Sequence, residues 1–108
     1  MKNFVYVLYV ELYGIWASEN GACKIIGVYD NPFNALDKLE GLLREDLHND
    51  LILDIENNVD DFVKQQKIKG FDKTIYVDIY DNIESYNKGY NNGCYVLRKK
   101  ELNDDTDL

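Results

Sequence analysis

At Asp30-Asn31-Pro32 the spacing of apolar residues changes, and that change constrains the fold of this chain more than any other feature. Before it lie two runs, Phe4 to Leu12 and Ala22 to Tyr29, crowded with β-branched and aromatic residues. Such side chains fit a pleated surface and predict strands. After it Phe33, Leu36, Leu39, Leu43 and Leu47 recur at three and four residues, the repeat of a helix with one apolar face. Asn31 can accept a hydrogen bond from a free amide of the first turn, and Pro32 at the first helical position lacks a donor that would go unpaired there. The order requires a sheet covered by a helix.

Between the first two strands, Asn20-Gly21 is the dipeptide preferred in a tight primed turn, whose central residues need positive φ. It predicts a long hairpin with Tyr13-Gly14-Ile15-Trp16 extending the first arm. A second helical stretch is expected from about Asp50, since Ile52, Ile55, Val59, Phe62 and Val63 keep the helical spacing, with a strand over Leu51 to Ile55 as the alternative. Whether residues 32–66 form one helix or two is left open. Gly70 is a stop signal, preceded by Lys64, Lys67 and Lys69, which complement a helix C-terminus. Thr74 to Tyr80 alternates, with Ile75, Val77 and Ile79 on one face and Tyr76 and Tyr80 on the other. Asp81 to Gly93 is polar, with one helical turn around Ile83 to Tyr86, and Cys94 to Leu102 reads as a last strand. The expected fold class is α+β: an antiparallel sheet of about four strands with two helices on one face, in the order ββααββ. Residues 1–108 read as one domain, with 103–108 a flexible acidic tail.

Charge narrows the function. The formal net charge is −8. Nine acidic residues between Asp37 and Asp61 stand against Lys38 and Arg44, a net of −7 in that segment alone. Direct binding to nucleic acid or to anionic membrane needs a cationic field and is disfavoured, whereas a basic protein surface is favoured. The apolar run at Phe4 to Val10 is too short to span a bilayer. Cys23 and Cys94 lie far apart in a chain read as cytoplasmic, so both are expected reduced and buried.

The residues give no reason to expect catalysis, a cofactor or a metal. His48 is the single histidine, near the end of the first helix, where it compensates the dipole. Cys23 and Cys94 both begin strands and can be neighbours, but few cations accompany them to lower a thiol pKa. The run Asp54 to Asp61 has oxygen ligands at alternate positions, yet Val59 stands where a calcium loop needs glycine and Gln65 where it needs glutamate.

Continued as one helix through Leu47 to Asp50, the chain would place Asp46, Asp50 and Asp54 four apart on one face, with Asp61 seven further along. Like charges at that spacing cost a helix roughly 0.2–0.5 kcal/mol per pair, so stability alone gives no reason to keep them. A helix over the whole acidic segment would carry one net charge per about 5 Å. Duplex DNA carries one per about 1.7 Å, so mimicry of nucleic acid would be sparse and would need contacts beyond charge. The nine tyrosines can supply them, since exposed aromatics give large contact area at little entropy cost. The expected partner-binding set is Glu45, Asp46, Asp50, Asp54, Glu56, Asp60, Asp61, Tyr76 and Tyr80.

Phe4-Val5-Tyr6-Val7-Leu8, followed by Ile26-Gly27-Val28-Tyr29-Asp30 and a capped helix, resembles small uncharacterised proteins of bacteria and their phages. The short, acidic, lysine-, asparagine- and tyrosine-rich character is similar to that of phage inhibitors of bacterial defence, including anti-CRISPR proteins. That resemblance implies a non-enzymatic inhibitor blocking the basic nucleic-acid-binding surface of a host protein such as a CRISPR effector. The alternative is a small ligand-binding or oligomeric structural domain working through a tyrosine-rich sheet face. A homodimer is compatible with either.

Overall fold

The computed structural model describes residues 3–102; the tail expected over 103–108 lies outside the described residues. Strand β1 (Asn3–Leu12) and strand β2 (Cys23–Tyr29) pair antiparallel, as their composition predicts. The tight turn between them is not formed. Gly14 turns at φ 57 and the chain enters helix α1 (Gly14–Asn20), so the reversal is spread over a helical turn that closes at Gly21, φ 88. Trp16 packs against the core, the Ser18 hydroxyl donates to the Ile15 carbonyl at 2.8 Å, and the Asn20 amide donates to the Trp16 carbonyl at 3.2 Å. These contacts hold a helix where local turn preference alone favours a two-residue hairpin.

Helix α2 (Pro32–His48) starts as its sequence dictates, with Asn31 Oδ1 accepting from the Phe33 amide at 2.8 Å. It ends at Asn49, because Asp50 takes a left-handed conformation at φ 64 that a helix cannot continue through. The amides of Asn49, Asp50 and Leu51 still pair with carbonyls of the last turn, which seals the end. The chain then forms the short strand β3 (Ile52–Leu53), inside the Leu51 to Ile55 span read as the strand alternative to a second helix. Helix α3 (Val59–Lys69) starts nine residues after Asp50, capped by Asn58, which accepts from the Asp61 amide at 2.8 Å. Residues 32–66 therefore hold two helices with a strand between them.

Strand β4 (Ile75–Tyr80), helix α4 (Ile83–Lys88) and strand β5 (Gly93–Leu102) complete the chain. The fold is α+β, with one antiparallel sheet in the order β2-β1-β5-β4-β3. It has five strands and four helices among the described residues, one strand and two helices more than the expected ββααββ. None of those helices is long and apolar enough to cross a membrane.

One sheet face carries the core. Leu8, Leu53, Ile75, Val77, Ile79, Tyr95 and Leu97 meet Ala35, Leu36, Leu39 and Leu43 of α2 and Val59 and Val63 of α3. The opposite face is only partly covered. There Tyr80 meets Tyr86 of α4 edge-on at 5.1 Å, and Asn91 donates to Asp78 at 3.1 Å. Tyr80, expected exposed beside Tyr76, is thus buried at 8% exposure, whereas Tyr76 is 60% exposed.

Candidate protein-binding surface

The acidic set lies on four successive pieces of chain that flank the edge strand β3. Glu45 and Asp46 belong to the last turns of α2, Asp50 to the reversal after it, Asp54 and Glu56 to the link from β3 to α3, and Asp60 and Asp61 to the first turn of α3. Asp46, Asp50 and Asp54 do not share one helical face, because the helix ends before Asp50.

Two members are occupied by partners within the fold. Asp46 is half-buried and accepts a hydrogen bond from the Tyr95 hydroxyl at 2.6 Å. Burial raises the Asp46 pKa, the Tyr95 hydrogen bond opposes that shift, and the neighbouring Glu45 charge adds to it. The Tyr95 hydroxyl is pushed up in turn, first by burial and then by the carboxylate. Asp60 pairs with Arg44, which also holds Glu40 at 2.8 Å one helical turn away, so this ion pair ties α3 to α2. The pairing is exposed, and its main effect is to neutralise Asp60 as a free acid.

Asp54, Glu56 and Asp61 remain exposed, and they line one cleft of about 380 Å³ together with Phe62, Gln65 and Lys69. Among the described residues no ion pair engages these three carboxylates. Asp50 and Glu45 are exposed nearby in sequence. Asp60 and Asp61 also sit where negative charge complements the N-terminal end of a helix dipole, which stabilises α3. Of the acids expected to gain nothing from stability, Asp61 therefore does contribute to it.

The tyrosines divide as well. Tyr76 lines a larger open cleft of about 630 Å³ between α3 and the start of β4, with Phe62, Lys69 and Lys73. Tyr80 is sealed under Tyr86 and presents no contact surface. Phe62 and Lys69, which border both clefts, are absent from the expected set. Their helical spacing was legible, but their position beside β4 depends on tertiary packing.

Cys23 and Cys94 sit opposite Glu11 on its two sides, Cys23 on β2 and Cys94 on β5. With β1 between them they are about 10 Å apart, beyond disulfide reach. Cys23 is exposed, which corrects the expectation that both thiols are buried; Cys94 is buried. Among the described residues no group of three or more His, Cys, Asp or Glu side chains is arranged to hold a metal ion.

Compared with protein-family models, with curated protein sequences and with solved structures, the chain shows no match.

Proposed function

We propose that this chain is a non-enzymatic binding protein that sets the acidic surface between the end of α2 and the start of α3 against a basic protein surface. The observation that carries this reading is the gathering of Asp54, Glu56 and Asp61 around one cleft with no cation paired to them among the described residues. Three exposed carboxylates on a rigid support, with Asp50 and Glu45 close in sequence, form a negative field that draws in a positive groove and orients it. Lys69 tempers that field on one side of the cleft. A nucleic-acid enzyme such as a CRISPR effector offers the complementary surface, and occupying it would exclude nucleic acid. On this reading the protein acts in the cytoplasm as an inhibitor encoded by a phage or mobile element.

The test is capture of partners from bacterial lysate by the intact chain at low and at about 0.5 M salt, where screening reaches about 4 Å. The expected catch is a basic nucleic-acid-binding protein, lost when Asp50, Asp54 and Asp61 are all reversed to lysine. Because Asp61 also supports α3, the pair Asp54→Lys and Glu56→Lys is the cleaner variant and should weaken capture on the order of tenfold. Capture indifferent to both salt and reversal rejects the reading.

A further inference from the structure

The sheet face turned away from α2 and α3 is built in rows by the strand registers. A middle row runs Ile25, Tyr9, Val96, Tyr76 across β2, β1, β5 and β4. Toward one end of the strands lie Val28, Val7 and Arg98, and beyond them Val5 beside Lys100. Toward the other end lie Cys23, Glu11, Cys94 and Asp78. The middle of this face is thus apolar, one end is cationic and the other is acidic.

Ile25 is 70% exposed, Tyr76 60% and Val28 59%, whereas Val96 and Cys94 between the flanking side chains are already buried; Tyr86 of α4 packs on Tyr80 and Asn91 donates to Asp78. Among the described residues neither Arg98 nor Lys100 has an ion-pair partner. The acids are held in place rather than neutralised: Glu11 accepts from the Tyr13 hydroxyl at 2.8 Å, and Asp78 from Asn91.

We propose that a second copy of this chain binds here, the two sheets packing face to face about a twofold axis that runs along the Ile25-Tyr9-Val96-Tyr76 row. Charge selects that axis. Two copies facing each other can be related by an axis along the strands, which sets cations over cations, or by an axis across them, which sets each cationic end over the partner's acidic end. Centred on the middle row, the second choice carries Arg98, one row away on β5, onto the other copy's Cys94 position, which Glu11 and Asp78 flank on the neighbouring strands. The apolar row then packs on itself at the usual spacing of about 10 Å between sheets.

Strands of seven, ten, ten and six residues at about 3.3 Å per residue and about 4.8 Å apart give a footprint of roughly 500 Å² per copy. That lies just under the standard range for specific association and fits a weak dimer that dissociates in the micromolar range. Helices α2 and α3 of both copies face outward, with α4 on the interface side over Tyr80, so this inference is independent of the acidic-surface reading and leaves that surface free.

Sedimentation equilibrium of the intact chain up to about 100 μM tests it. The expected result is a reversible dimer. Arg98→Glu, a surface change, should weaken it on the order of tenfold, because two acidic ends then oppose each other. Glu11→Lys should weaken self-association likewise, and mixing the two variants should restore a heterodimer. If Glu11→Lys fails to fold by circular dichroism, Arg98→Glu and Ile25→Lys decide alone, both expected to shift the equilibrium toward monomer. A wild-type chain that stays monomeric at that concentration, or a dimer indifferent to Arg98→Glu and Ile25→Lys, overturns the proposal.

Discussion

Leu39→Ala is expected to lower the unfolding free energy by about 3 kcal/mol, within the range measured for leucine truncation in packed cores. Leu39 is fully buried in the middle of α2, in the cluster that joins this helix to the sheet. Removing its isobutyl group loses apolar burial and leaves a space that neighbours on a sheet and a capped helix can only partly refill. For a domain of this size the melting temperature should fall by roughly 15 °C. The matched control is Leu47→Ala, on the same periodic stripe but 44% exposed, which should cost less than about 1 kcal/mol. Urea unfolding followed by circular dichroism measures both, and equal losses would show that the helix does not pack as described.

The second large effect is at Asp46. Asp46→Ala leaves the part-buried Tyr95 hydroxyl without its acceptor and should cost about 1–2 kcal/mol. Asp46→Asn keeps an acceptor oxygen and removes the charge, so at neutral pH it should match or exceed the wild type in stability. The sign follows from linkage. The folded-state pKa of Asp46 is raised by burial, so the native chain binds its proton more tightly than the unfolded chain does. Its favourable contribution is present below the ordinary aspartate pKa and fades as pH rises through the raised value. Unfolding free energies of wild type and Asp46→Asn, measured from about pH 3.5 to 7, should diverge across that window. Parallel curves would show that Asp46 titrates as an ordinary surface carboxylate.

These two sites also show what could be read from residue order. The start of α2 was legible because Asn31, Pro32 and the leucine repeat act within one turn of each other, and the alternation of β4 was legible for the same local reason. Helix α1 was hidden because Asn20-Gly21 carries a stronger local turn signal than the packing of Trp16, which depends on a core assembled from distant strands. Strand β3 is two residues long and exists only through its pairing with Ile79 and Tyr80. Within the acidic set, Asp46 is engaged by a tyrosine 49 positions away and Asp60 by an arginine 16 positions away, so a count of charges cannot separate them from free Asp54 and Glu56. The charge-segregated outer face was missed because Glu11 and Asp78 gather at one end, and Arg98 and Lys100 at the other, only through strand register.

The unequal cysteines give the molecule a built-in chemical clock. Cys23 is open to reagent, while Cys94 is shielded in the central strand of the sheet, its thiol pushed up to about 12 by burial and by Asp78 beside it. A thiol-specific dye should therefore count one group per folded chain at once. The second is counted only as fast as β5 separates from β1 and β4, so the slow phase times the opening of the middle of the sheet.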